Sequence, residues 1–98
     1  MKLATFKASN KTRLGGIIND EKLIVDLELI DRRFARREKR RPATFLTSMV
    51  ELLEAGNRGL NTVKSLIKAA DREFSAPDSK ICFALSKIKL CAPVQNPK

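Results

Sequence analysis

Histidine is absent from this chain, and so are tryptophan and tyrosine. Without histidine, the side chain most often used for general acid–base work is missing. The only two cysteines, Cys82 and Cys91, have a spacing that matches no zinc pattern. They read as small buried apolar residues, and a disulfide between them requires their strand segments to fold back on each other. Five Phe must supply all the aromatic bulk. No apolar run approaches the roughly 20 residues that cross a bilayer. The opening residues, Met1 to Phe6, are basic but carry no sustained apolar stretch of the signal-peptide kind. With so few cysteines, this points to a reducing cytosol, so a cytoplasmic protein without a membrane partner is expected. Glycine is also scarce, at four residues. Gly15-Gly16 lacks the following helix and the Lys-Ser/Thr pair of a phosphate-binding loop.

What the chain does have is positive charge. It carries a formal +9 over 98 residues, unevenly spread. Arg32, Arg33, Arg36, Arg37, Lys39, Arg40 and Arg41 stand against Glu38 alone, which is seven cations and one anion, a net +6 in ten residues. Such a run can neutralise phosphates on a nucleic acid, with affinity that falls steeply as salt rises. Single-strand readers add aromatic stacking platforms, however, and only Phe34 lies in the run. The plainer reading is a solvated helix and loop whose cations pair with acids on a neighbouring domain or subunit. The carboxylates are scattered. Glu51 and Glu54, three apart, read as a solvated helix face. No acidic cluster combines a partner with the apolar pocket that would raise a pKa. No catalytic, cofactor-binding or metal site is expected in this chain.

The length suits one small domain with a thin core, since 43% of residues are hydrophobic and 32% charged. Residues 2–6 read as a strand, 8–13 as a polar turn and 14–18 as a second strand. Gly15-Gly16 marks a bulge or a place of close backbone approach. Residues 19–21 form a turn, and 22–27 a third strand with Leu23, Val25 and Leu27 on one face. A helix is expected over 28–40, with Leu29, Ile30 and Phe34 on its apolar side and Pro42 as its stop. A second helix runs over 44–55, with Thr44 as N-cap and Gly56 past its end. Its stripe is Phe45, Met49, Leu52 and Leu53, widened by Leu46 and Val50, and reads as core. After an Asn57-Arg58-Gly59 turn, a third helix covers 61–74, with Leu60, Val63, Leu66, Ile67, Ala70 and Phe74 buried. A closing strand begins near Ile81; Ser86 and Lys87 break its phase before Ile88, Leu90 and Ala92 resume it. Pro93 and Pro97 then impose a stiff, extended tail. The expected class is α+β: a small antiparallel sheet, made of a βββ meander plus the C-terminal strand, with two to three helices packed on it.

Several stretches, taken together, resemble one family. MKLATF, RLGGIIND and KLIVDLE are similar to the opening of fumarylacetoacetate hydrolase family members. FLTSMVELLEAG and GLNTVKSLIKAA resemble the helices of that family's small N-terminal domain. IKLCAPVQNPK resembles the strand-to-linker passage L-x-A-P-(V/I)-x-x-P-x-K that precedes its catalytic domain. The resemblance spans nearly the whole chain, and the arginine run departs from it in its density of charge. It implies a division into a small accessory domain, 1–92, and an extended linker, 93–98, toward a catalytic domain in cis. In the family that catalytic domain binds Mg²⁺ or a similar divalent ion (Mn²⁺, Ca²⁺) through Glu-x-Glu and a later Asp, and acts on acylpyruvates and related 2-oxo acids. The metal there serves as a Lewis acid on the enolate. None of those ligands has a counterpart here, so the resemblance implies a chain that is inert by itself. Two other readings stand beside it: a free-standing nucleic-acid-binding module using Arg32 to Arg41, and a homo-oligomer that covers its apolar helix faces by self-association.

Overall fold

A computed structural model describes residues 2–8, 11–46, 49–74, 76–77, 81–88 and 90. The chain starts with β1 (Leu3–Ala8) and β2 (Lys11–Ile18), antiparallel, with Phe6 opposite Arg13 and Ala8 opposite Lys11. Lys11 to Arg13, expected in the turn, therefore belong to the strand. Alternation decides this: keeping Leu3 and Leu14 on one face and Ala4 and Phe6 on the other extends the ladder to Lys11. The strand β3 (Leu23–Asp26) pairs with β2, and β4 (Cys82–Ala84) with β3, so the order in the sheet is β1-β2-β3-β4. The α+β arrangement expected from the sequence, a meander joined by the late strand and packed by helices, is the one observed.

Between β2 and β3 the chain reverses through Asn19, Asp20 and Glu21, all with positive φ (54°, 53° and 66°). Asn and Asp tolerate this left-handed region better than most residues. The Asn19 amide donates to Asp71 at 3.0 Å, which ties the turn to the third helix.

Each face of the sheet is covered differently. One face (Leu3, Leu14, Ile18, Leu23, Val25 and Cys82) packs under three helices: α1 (Leu27–Glu38), α2 (Met49–Glu54) and α3 (Gly56–Glu73). Leu27, Ile30, Phe34, Leu52, Val63 and Ala70 complete that core. The other face (Ala4, Phe6, Ile17 and Ile24) is covered by Phe83, Leu85, Ile88 and Leu90. The closing segment breaks after Ala84 into a 3₁₀ turn, Leu85–Lys87, where the phase break falls. It then reaches the far edge of the sheet, where Leu90 bridges to Phe6. The expected strand from Ile81 onward is thus a short strand, a turn and a single bridge. Ala92, Cys91 and the 93–98 tail lie outside the described residues; Cys82 is buried, as expected of it.

The two adjacent glycines carry close approaches on opposite faces, not a bulge, since the register runs unbroken through them. A Cβ on Gly15 would lie 2.7 Å from Ile24 Cδ1 and 2.8 Å from Phe6 Cε1. On Gly16 it would lie 2.7 Å from Cγ1 of Ile67, on α3. These glycines let the second layer of side chains sit directly on the strand.

Two helices differ from expectation. Residues 44–46 are not helical, Thr44 lies in a bend, and α2 is described over Met49–Glu54. This stretch is held against α1 instead: the buried Asp31 carboxylate accepts the Ala43 amide at 2.7 Å. Leu46 and Leu52 are buried and Phe45 and Met49 pack partly buried against the core, while Val50 and Leu53 are exposed (65% and 55%), so two of the six residues of the expected stripe lie outside the core. The Asn57-Arg58-Gly59 turn is helical too. Gly56, at φ 65°, turns the chain between α2 and α3, and Gly59 packs on Ala55 and Leu52 where a side chain would collide. One glycine, at Gly56, suffices for the reorientation.

The first helix also ends earlier than Pro42 would require. Lys39 adopts φ 55°, ψ 43°, and both its amide and that of Arg40 reach back to the Ala35 carbonyl. A left-handed C-cap favours glycine. Lys39→Gly is therefore expected to stabilise the domain by about 0.5–1 kcal/mol, read as a higher urea midpoint with an unchanged slope. A lower midpoint would show that the Lys39 side chain contributes more than its backbone costs.

Candidate functional site

The arginine run does not form one patch. Helical spacing separates it into faces. Arg33 and Arg37 turn toward the end of α3: the Arg33 guanidinium lies 5.8 Å from the Phe74 ring centroid, and Arg37 bonds Glu73 at 2.7 Å while also lying 5.4 Å from the Phe34 ring centroid. Arg32 turns away and meets Glu28, one helical turn earlier, at 3.4 Å. Arg40, past the helix end, reaches back to Glu38 at 3.0 Å and to Asp31 at 2.9 Å. Arg36, Lys39 and Arg41 are exposed and make no ion pair among the described residues. Four of the seven cations, then, have partners within the domain itself. The acids that pair with the run are Glu28, Asp31, Glu38 and Glu73 of the same chain, whereas the sequence points to a neighbouring domain or subunit for them.

Asp31 is the residue that sequence reasoning passed over. It is 1% exposed, the rarest environment for a carboxylate. Its Oδ2 accepts the Ala43 amide; its Oδ1 stands close to Arg40 Nη2 without aligned hydrogen-bond geometry. The Arg40 pKa is raised, first by its hydrogen bond to Glu38 and then, against some desolvation, by Asp31. The available signal was its position: Asp31 falls next to Ile30 on the inward side of an amphipathic pattern, where a charge must find a partner.

A second ionic cluster sits where β3 enters α1. Asp26, 2% exposed, caps the helix by accepting the Leu29 amide at 3.2 Å. It also accepts two bonds from Arg13, at 2.8 and 3.2 Å, and Arg13 reaches Glu28 at 3.1 Å. The role is structural: it couples strand, cap and helix. Among the described residues no group of three or more His, Cys, Asp or Glu is arranged to hold a metal ion. No helix among them is long and apolar enough to cross a membrane.

Beside the run lies a cleft of about 820 Å³ between the end of α1, the 40–45 segment and α3. Its charged lining is Arg40, Arg41, Arg58 and one acid, Glu38, which is paired with Arg40; its apolar lining includes Phe34, Phe45 and Leu66. Residues 41–45, non-helical and tied to α1 by the Ala43–Asp31 bond, form one wall of the cleft. Of the residues singled out in the sequence, it brings together Arg40 and Arg41 and adds Arg58, 17 positions beyond Arg41 in a stretch that read as a turn.

No family model matches this chain, and no curated protein matches it.

Proposed function

We propose that the chain is the N-terminal accessory domain of a fumarylacetoacetate-hydrolase-like enzyme and that its own task is structural: packing on a metal-dependent catalytic domain and contributing to subunit assembly or to the rim of the active site. The observation that carries this reading is the agreement between segments and elements. Leu3 to Phe6 of MKLATF lie in β1, RLGGIIND supplies most of β2 and enters its turn, and KLIVDLE supplies β3 and enters α1. FLTSMVELLEAG and GLNTVKSLIKAA supply α2 and α3, and the L-x-A-P passage begins at Leu90, which is anchored on Phe6. Mg²⁺, in this reading, belongs to the catalytic domain, and no step is assigned to residues of this chain.

An antibody against the exposed face of α3, used to recover the native protein from its own source, provides the test. Recovered material is expected to cleave acylpyruvates in a Mg²⁺-dependent, chelator-sensitive way, and residues 1–98 alone to be inert. Metal-dependent turnover by the 98 residues themselves, or recovered material without any 2-oxo-acid activity, overturns the reading.

The alternative, nucleic-acid binding through Arg32 to Arg41, rests on Arg36, Lys39 and Arg41, the cations of the run with neither an acidic nor an aromatic partner among the described residues. It has less support, because three dispersed cations neutralise few phosphates. It predicts RNA or DNA affinity that falls with salt and collapses in Arg36→Ala/Arg37→Ala/Arg40→Ala/Arg41→Ala; salt-insensitive or absent binding excludes it.

A further inference from the structure

We infer that the cleft between α1 and α3 is a binding site for a small organic anion, one carboxylate or phosphate head on an apolar body. This goes beyond the accessory role and does not depend on it. The cleft's capacity, about 820 Å³, falls in the range of small-ligand pockets. Its chemistry is split in the way such a ligand requires. Arg41 and Arg58 are exposed cations with no acidic partner among the described residues, whereas Arg40 is already engaged by Asp31 and Glu38. Guanidinium groups bind carboxylate and phosphate oxygens in paired, charge-assisted hydrogen bonds. The α3 helix opens at the same place without a side-chain cap and without an acid in its first turn, which adds to the positive potential.

The apolar lining decides between kinds of anion. Phe34, Phe45 and Leu66 present apolar surface between the cations. A sugar-phosphate backbone would leave that surface unused, and a bare inorganic ion would leave it wet. An anion with an alkyl or aryl body covers it and gains roughly 0.8 kcal/mol for each buried methylene. Thr62 does not compete for the anion through its hydroxyl hydrogen, which it donates to the Arg58 carbonyl at 3.0 Å.

The experiment is an amide-resolved NMR titration of the ¹⁵N-labelled chain with octanoate, octyl phosphate, octanol and acetate. Octanoate or octyl phosphate is expected to shift the amides of Thr44, Phe45, Arg58 and Leu66 and to half-saturate near or below about 1 mM. Whichever of the two binds more tightly identifies the head group. Octanol and acetate, each lacking one half of the ligand, are expected to bind at least about 10-fold more weakly. Arg41→Glu/Arg58→Glu, at two exposed positions that no ion pair uses, is expected to weaken octanoate about 10-fold or more while leaving octanol unchanged. Ser65→Glu, an exposed helix position on the cleft, is a second variant with the same expected selectivity. Shifts centred elsewhere, octanol binding as tightly as octanoate, no saturation by about 10 mM, or charge reversal without effect would each overturn the assignment.

Discussion

Asp26→Ala is expected to destabilise the domain by about 3–5 kcal/mol, the usual cost of removing one partner from a buried ion pair. Three losses coincide at this position. The Leu29 amide loses its cap, worth about 1 kcal/mol. The Arg13 guanidinium, only 20% exposed, loses both bonds to Asp26 and keeps Glu28 alone. The β3-to-α1 junction, which passes straight from strand to helix at Asp26, loses the group that couples the two. For a domain of this size the change corresponds to a fall in Tm of roughly 4–8 °C per kcal/mol. Asp26→Asn retains an acceptor for Leu29 but not the charge, so it should fall between wild type and alanine. Thermal melts of the three proteins decide it; equal stability of Asn and wild type would show that the charge contributes nothing.

The same pair fixes an expectation for pH. The Arg13 pKa is raised above its ordinary value, first by the hydrogen bond to Asp26, with burial opposing. A cation with a raised folded pKa stabilises the fold at every pH below its unfolded value and loses that contribution only as pH rises through the folded one. For an arginine this window lies above about pH 12. The stability difference between wild type and Asp26→Ala is therefore expected to be flat from about pH 7 to 10. A decline across that interval would show that another group carries the effect.

Gly16→Ala is expected to cost about 1–3 kcal/mol through overpacking. The added methyl would meet Ile67 Cγ1 and Cδ1 at 2.7 and 2.8 Å and Leu27 Cδ2 at 3.3 Å. No backbone strain is involved, since Gly16 lies in regular strand, so the entire cost is steric. That makes it separable. In an Ile67→Ala background the obstructing atoms are gone, and the Gly16→Ala penalty should largely vanish, a coupling of roughly 1 kcal/mol or more. Additive behaviour in the double-mutant cycle would refute close packing as the reason for glycine there. Gly15→Ala tests the opposite face, against Ile24 and Phe6.

Much of this architecture could be read from residue order. Alternation over Leu3 to Phe6 and Leu23 to Val25 identified strands, because a period of two puts one face in the core. The 3.6-residue spacing of Val63, Leu66, Ala70 and Phe74 identified α3, and all four are buried. Gly15-Gly16 marked a bulge or a close approach, because the absence of a Cβ is visible in sequence, and the unbroken register decides for the second. The misplaced boundaries share one cause. Thr44 had the chemistry of a cap, but it lies in a bend of a segment that packs on another helix, where Asp31 accepts the Ala43 amide. Val50 and Leu53 matched an apolar stripe, but a six-residue helix covers only part of the core, and which part depends on the turn at Gly56.

The arginine run shows the same division. Its charge is a property of composition, and its dispersal around α1 follows from helical geometry once a helix is granted. That Arg37 finds Glu73, that Arg33 stacks over Phe74 and that Arg40 returns to Asp31 depend on where α3 and the 40–43 segment settle. Local chemistry therefore determined the class of fold, the strands, the buried face of α3 and the excess of positive charge, because each follows from spacing along the chain. Tertiary structure alone decided which cations remain unpaired, that residues 44–46 stay out of a helix, and that a cleft with an apolar and arginine lining exists at all. Those depend on partners such as Glu73, 36 residues from Arg37, and Ala43, 12 residues from Asp31, and spacing within one element carries no information about a partner on another.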